Sequence, residues 1–276
     1  MTGFGCFLQR LFSPRQKTLR WFFALRENPA SLETHAQLIR AAVHSAGQHT
    51  SLLPHFLYDG NDNSLTAWLT GRGIPIIRCR TRLLKALEQF DDVAAREIAR
   101  GAFLRLEIPR IMRENGWTDR DVLYTDCDVL FLREVVPELL SLRPELFAVA
   151  PQTKKSDYVK MNTGVMLMNI PGLARDEESF LQYCRENMSA ISRNAWDQGA
   201  YREFYAGRWN RLPLEFNWKP YWGDSSDARI VHFHGPKPFQ SDLADGERAT
   251  ELVQRLASGD YRKLSALWKE VLAAAS

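Results

Sequence analysis

The chain has 276 residues, 45% of them hydrophobic, and its 36 Lys and Arg barely outnumber its 33 Asp and Glu. That is enough apolar material for one large domain or two small ones, and so slight a basic excess without a long basic run excludes a nucleic-acid tail and argues against a nucleic-acid partner. The four cysteines, Cys6, Cys79, Cys127 and Cys184, are scattered and form no CxxC pair, which excludes a thiolate zinc site or a disulfide framework as the organising feature and makes a reducing compartment the default.

Residues 1–18 read as an N-terminal extension. The apolar stretch from Gly3 to Phe12 is too short for a membrane span, lacks an initial basic region and has no small-residue cleavage site, so a cytoplasmic protein is expected. Phe4, Phe7, Leu8, Leu11 and Phe12 recur at helical spacing beside Arg10, Arg15 and Lys17. That pattern suits either a helix packed on its own domain or peripheral contact with the inner face of an anionic membrane.

Leu19 to Leu25 reads as a first strand, and Ser31 to Ala46 as a helix with Leu32, Ala36, Ile39, Val43 and Ala46 on one face. Leu52 to Tyr58 is a second strand, stopped by Asp59-Gly60-Asn61-Asp62-Asn63 before a short helix to Gly71, and Ile74 to Cys79 is a third. The β-α alternation predicts an open, mostly parallel central sheet flanked by helices, with ligands beyond the carboxyl ends of the strands. Between Gly101 and Asn115 a helix bent near Pro109 is expected, stopping at Gly116.

Val122 to Leu132 then sets Asp126 and Asp128 inside an apolar run that reads as one buried strand. Strand alternation puts both carboxylates on one face and turns Cys127 away. At about 4 to 6 Å and an effective dielectric of about 20, the two charges repel by roughly 3 to 4 kcal/mol. A cation reverses the sign of that term, hard carboxylate oxygens suit Mg²⁺ or Mn²⁺, and substrate phosphates are the natural remaining ligands.

Further strands are expected at Phe147 to Ala150, Val165 to Asn169 and Ile230 to His234, with helices at Asp176 to Ile191 and Leu243 to Ala275. Asn162-Thr163-Gly164 precedes one of these strands and reads either as a tight turn or as a set of hydroxyl-binding groups; Asp197-Gln198 opens a helix, as a cap or as a second such set. Ile230 to Phe239 ends a strand in His232, His234, Gly235 and Lys237. Imidazole can complete a metal shell, glycine admits phosphate close to the backbone and lysine supplies a point charge, yet alternation alone does not choose between His232 and His234. Trp209, Phe216, Trp218, Tyr221 and Trp222, with Asn217 and Lys219 among them, form either a core layer or a sugar-stacking wall.

In order along the chain, Arg105-Leu106 with Pro109, Asp126-Cys127-Asp128, Asn162-Thr163-Gly164, Asp197-Gln198, and His232 with Gly235 and Lys237 resemble the motifs of glycosyltransferase family 8 and its glycogenin-like members. The resemblance spans about Arg105 to Phe239. It implies a GT-A-like α/β fold over residues 19–240 with a helical C-terminal extension over 241–276, and transfer of a sugar from a nucleotide-sugar donor, a UDP-sugar in that family, to a glycan, lipid-linked or protein acceptor with retention. It further implies Mn²⁺ or Mg²⁺ on Asp126, Asp128 and His232. Lys237 and Gly235 would meet the diphosphate, and Arg105, Asn162, Asp197 and Gln198 would surround the donor sugar, with Gly164 beside them.

The chain departs from that pattern in two places. Only Pro236 separates Gly235 from Lys237, with Phe239 where the family has tryptophan, and Phe23 to Asn28 replaces the acidic nucleotide-binding signature of the first strand. Two other readings stay open. A haloacid-dehalogenase-like phosphohydrolase would use Asp126 as nucleophile and Gly223 to Asp227 as a late acidic motif, and a catalytically silent sugar-binding module would keep the fold without turnover.

Overall fold

The computed structural model describes residues 17–240 and 251–275. The segment from Gly3 to Phe12, with its membrane-facing pattern, lies outside the described residues, as does the start of the C-terminal extension. Three β-α units open the chain: β1 (Leu19–Arg26), α1 (Leu32–His49), β2 (Leu52–Asp59), α2 (Ser64–Gly71) and β3 (Ile76–Arg78). Asn63 caps α2 through its side chain to the Leu65 and Thr66 amides, and Thr66 caps it back, a reciprocal box that ends the Asp-Gly-Asn turn.

Next come α3 (Leu84–Leu87), α4 (Val93–Ala102), a 3₁₀ turn at Phe103–Glu107 and α5 (Ile108–Glu114). The bend expected at Pro109 is therefore a change of helix type just before it: Pro109 sits in the first turn of α5, where its missing N–H costs nothing. Gly116 ends the segment at φ 65°, the left-handed conformation glycine accepts. The chain continues through β4 (Asp121–Thr125), β5 (Val129–Phe131), α6 (Val136–Leu142), β6 (Phe147–Pro151), β7 (Met161–Asn169), α7 (Ile170–Glu186), α8 (Met188–Ser192), α9 (Asp197–Phe204), β8 (Asn210–Arg211) and β9 (Ile230–His232). The described C-terminal part holds helices at Glu251–Leu256 and Tyr261–Ala274.

Seven strands form one sheet in the order β3-β2-β1-β4-β7-β6-β8. Only β7 runs against the rest, antiparallel to both β4 and β6, so the sheet is mostly parallel as expected. Its central strands β4, β7 and β6 are buried on both sides. Trp21, Phe23, Phe56 and Leu123 join α1, α2, α6 and the helix Tyr261–Ala274 in one core, while Phe22, Leu57, Tyr124 and Met166 join α3, α4, α5, α7, α8 and α9 in the other. This two-sided burial is why the strands read as unbroken apolar runs. The C-terminal helix docks with Leu264 and Trp268 buried in the first core.

Four expectations need correction. Val122 to Leu132 is not one strand: β4 stops at Thr125, and β5 pairs antiparallel with β9 in a separate two-stranded sheet. Asp126-Cys127-Asp128 is the corner between them, and a corner flanked on both sides by buried apolar residues has the same hydropathy pattern as a straight strand. Asn162-Thr163-Gly164 is not a turn before a strand but lies within β7, beside a register shift in its pairing with β6 at Val149 and Ala150. Finally, β9 ends at His232, so His234 lies beyond it, and the helix placed at Asp176 starts at Ile170, capped by the Asn169 side chain on the Gly172 amide.

Candidate active site

The corner between β4 and β5 holds the centre of the site. The Asp126 amide donates to Gly164 O at 2.8 Å, prolonging the β4–β7 ladder by one bond, and the Phe233 amide donates to Asp128 O at 2.9 Å, fastening the corner to the strand after β9. Cys127 points away, its thiol donating to Ala24 O of β1 at 3.3 Å. Both carboxylates thus face one side without continuous strand alternation.

His232 closes the group. Its Nε2 lies 3.4 Å from Asp128 Oδ1 and 3.8 Å from Asp126 Oδ2, and one donor atom from each of the three residues falls within 4.8 Å of the others. The other ring nitrogen, Nδ1, sits 3.0 Å from Asn217 Oδ1. Asn217 Nδ2 donates to Asn162 Oδ1 at 3.1 Å and Asn162 Nδ2 donates to Gln198 Oε1 at 3.1 Å. This chain of amides leaves Asn217 Oδ1 as acceptor, so Nδ1 carries a proton, and the neutral imidazole that a metal needs would present its lone pair at Nε2 to the two carboxylates. Asp128 Oδ1 is buried without a hydrogen bond. Three lone-pair donors facing one another, one of them orphaned, form an arrangement that a divalent cation satisfies, and two carboxylates with an imidazole suit Mn²⁺ or Mg²⁺ better than a thiophilic metal. The residues present fit the metal that the sequence motif implies.

Cations already flank the pair. Lys237 donates to Asp128 Oδ2 and, at 3.1 Å, to Phe233 O. Burial would raise the Asp128 pKa, but Lys237 and His232 outweigh it and hold that carboxyl well below the usual range. Pro236 alone between glycine and lysine therefore does not prevent Lys237 from reaching the site. Gly235 makes that turn at φ +119°, and the helix Glu251–Leu256 packs against it through Leu256.

Arg105, only 4% exposed, comes from the 3₁₀ turn before α5 and binds in three directions. Its Nη2 donates to Asp126 Oδ1 at 2.8 Å, Nη1 to Thr163 O at 2.6 Å, and Nε pairs with Asp197 Oδ2 at 3.2 Å. Tyr124 lies under the guanidinium at 4.2 Å. Asp197 also accepts from the Thr163 hydroxyl at 3.0 Å; burial nevertheless pushes its carboxyl up to about 6, against the pull of Arg105. Ala195 and Trp196 hold positive φ angles of 61° and 51° to turn the chain into α9 and put Asp197 and Gln198 at its start, a local strain of about 1 to 3 kcal/mol per residue that packing must offset.

A cavity of about 510 Å³ opens at this point, and Arg105, Asp126, Asp128, Asn162, Asp197, Gln198 and Lys237 all line it. Gly164 and Gly235 do not. A Cβ on Gly164 would sit 2.8 Å from both His232 ring nitrogens and closer still to Cε1, so this glycine is the bed on which the imidazole lies. His234 lines the cavity instead of joining the carboxylates: its Nδ1 meets the Tyr221 hydroxyl at 3.0 Å, and burial with the nearby His232 and Lys219 lowers its pKa to about 3.

Sequence reading overlooked Asn217 and Lys219 as part of the site. Both are wholly buried, and Lys219 donates to Asn217 O at 2.9 Å beneath Trp222. Burial drives the Lys219 ammonium well below its usual pKa, with Asp126 and Asp128 pulling the other way. A polar pair inside an aromatic stretch was the available signal. The aromatics themselves divide: Phe216 and Trp218 are core, and Trp222 donates to Thr153 O at 2.5 Å. Asp224 and Asp227, the late acidic run a phosphohydrolase would need, are exposed and do not line the cavity.

No protein-family model and no curated protein matches the chain. Solved structures do, and they share the GT-A glycosyltransferase fold, a mostly parallel sheet between helical layers. Among them are the glycosyltransferase GlyE of Streptococcus pneumoniae TIGR4, 16% identical at a TM-score of 0.58 over 92% of this chain and 63% of that one, and the galactosyltransferase LgtC in complex with donor and acceptor sugar analogues, 16% identical at 0.56 over 93% and 96%. Mouse xyloside xylosyltransferase 1 is 13% identical at 0.53 over 78% and 97%. The chain thus spans less than two thirds of GlyE and nearly all of LgtC. No helix among the described residues is long and apolar enough to cross a membrane.

Proposed function

We propose that this chain is a metal-dependent glycosyltransferase that moves a sugar from a nucleotide-sugar donor, a UDP-sugar, to a glycan, lipid-linked or protein acceptor with retention of anomeric configuration. The observation that carries this reading is the convergence of Asp126, Asp128 and His232, with an orphaned carboxylate oxygen, where the two carboxylates line the wall of a cavity of about 510 Å³ and His232 stands behind them. The shared fold of GlyE and LgtC, and the donor and acceptor analogues held by LgtC, support it.

Asp126, Asp128 and His232 would hold Mn²⁺ or Mg²⁺, which when bound offsets the charge that gathers on a departing nucleoside diphosphate. Lys237, which sits on Asp128, would pass from that carboxylate to the diphosphate. Arg105, Asn162, Asp197 and Gln198 form the donor-sugar wall, where Arg105 keeps Asp197 in place and the Asn162–Gln198 amide pair offers hydrogen bonds to sugar hydroxyls. Gly164 and Gly235 serve by shape: one seats His232 and the other turns the chain toward Lys237. A cytoplasmic location, with peripheral attachment at the inner membrane face, belongs to the same reading.

Thermal-shift measurements with nucleoside diphosphates and nucleotide sugars, with and without Mn²⁺, test it. Selective, metal-dependent stabilisation by uridine nucleotides is the expected result; no stabilisation by any nucleotide sugar, together with phosphate release from simple phosphomonoesters, would overturn it.

A further inference from the structure

A second cavity, of about 620 Å³, lies at the carboxyl ends of β1, β2 and β3, lined by Arg26, Arg78, Arg80, Arg100, Arg110 and Asp59 among others. Five guanidinium groups thus face a space whose lining contains one carboxylate. Asp59 is shared three ways: Arg26 Nε lies at 3.4 Å, Arg80 Nε at 3.4 Å and Arg100 Nη2 at 3.1 Å. Glu97, outside the lining, takes a second contact from Arg26 at 3.1 Å and from Arg100 at 2.8 Å, which still leaves this cluster one positive charge in excess.

Two more arginines add to the wall. Arg78 stacks over Tyr58 and donates to Gly60 O at 2.5 Å; its carboxylate partner, Asp62, is 93% exposed and so strongly screened by water. Arg110 shares the buried Glu107 with Arg82 and also pairs with both oxygens of Glu114 at 2.7 and 2.8 Å, so the unbalanced charge lies with Arg26, Arg80 and Arg100. The Nε groups of Arg26 and Arg100 are buried, that of Arg26 beside Asp59 and Glu97, so a ligand in the cavity would meet the terminal nitrogens of these guanidinium groups. Arg80 is 73% exposed with a single long contact, free to swing over the cavity mouth.

We infer that this cavity binds a phosphomonoester group. Guanidinium pairs match a phosphate dianion in both charge and fork geometry, which a neutral sugar or a lone carboxylate would not exploit. Arg26 lines both this cavity and the one beside Asp126 and Asp128, so a small molecule held here by its phosphate reaches toward the centre where transfer is proposed. That link rests on the proposed function; phosphate binding itself does not.

The test is calorimetric titration of the full chain, free of divalent metal and at constant ionic strength, with inorganic phosphate, a hexose 6-phosphate and the unphosphorylated hexose. Both phosphates should bind and the neutral hexose should not. Arg80→Ala should weaken phosphate binding about tenfold or more, Arg80→Lys should keep part of it, and Lys237→Ala should leave it unchanged. Arg80 is exposed and remote from the metal-binding residues, so donor turnover should stay within about twofold in Arg80→Ala. Phosphate affinity equal to wild type in Arg80→Ala, or lost in Lys237→Ala instead, would overturn the inference, whether or not sugar transfer is observed.

Discussion

Two cavities that share Arg26 pose opposite electrostatic problems. Beside β4 and β5, carboxylates and an imidazole lone pair converge, and Arg105 and Lys237 leave one oxygen of Asp128 unsatisfied. Beside β2 and β3, guanidinium groups converge on a single carboxylate, Asp59. Both lie at strand ends, where the backbone leaves the sheet and charged side chains can gather without breaking ladder bonds. The difference is in tolerance: the first cluster is oriented by a chain of buried amides, whereas the second includes Arg80, 73% exposed and adjustable. Substitutions in the first should therefore have steep effects and those in the second graded ones.

The sharpest way to break the contrast is Asp128→Ala. Removing the orphaned oxygen and the partner of Lys237 should lower Mn²⁺-dependent nucleotide binding or donor turnover at least about a hundredfold. Metal-dependent binding by calorimetry at wild-type strength would mean that the carboxylate cluster is structural.

The next effect in size concerns how His232 is held. Gly164→Ala pushes a methyl group into the imidazole, and Asn217→Ala removes the acceptor that fixes its Nδ1 proton. Each should weaken metal affinity about tenfold to a hundredfold. Asn217→Asp, which keeps an acceptor, should lose less than Asn217→Ala. Equal losses in the two Asn217 variants would indicate damage to packing rather than to ring orientation.

A smaller effect should appear with pH. Asp197 titrates at about 6 in the fold against the ordinary 3.8, so the folded state holds that proton more tightly than the unfolded chain does. Its cost to stability is absent below about pH 4 and grows as pH rises through 6, up to about 3 kcal/mol. Wild-type stability measured relative to Asp197→Asn should accordingly fall between about pH 4 and pH 7; a flat difference would place the ionised, Arg105-paired carboxylate at its ordinary pKa.

Much of this was legible along the chain. The three opening β-α units follow from apolar runs and from turn residues such as Asp59 to Asn63, because burial and turn chemistry act over a few residues. The ten site residues came from short motifs, and the fold brings eight of them together: seven on the cavity wall, with His232 at the carboxylates. The two glycines came from the same motifs yet act through the backbone, which a motif does not reveal. Asn217 was read only as part of an aromatic layer, because its hydrogen bond to the ring of His232 is visible only in space. The five arginines of the second cavity come from β1, β3, the segment after it, α4 and α5, and no spacing rule connects them.

The sequence by itself determined the fold class, the order of the first elements and the paired carboxylates, since each depends on local hydropathy, turn chemistry or adjacent side chains. Tertiary structure decided that Asp126 and Asp128 sit at a corner between two sheets, that His232 and not His234 completes the cluster, and that Asn217 and Gly164 hold it. Those outcomes depend on which backbone atoms compete for the same hydrogen bonds across the fold, a competition no stretch of chain records by itself.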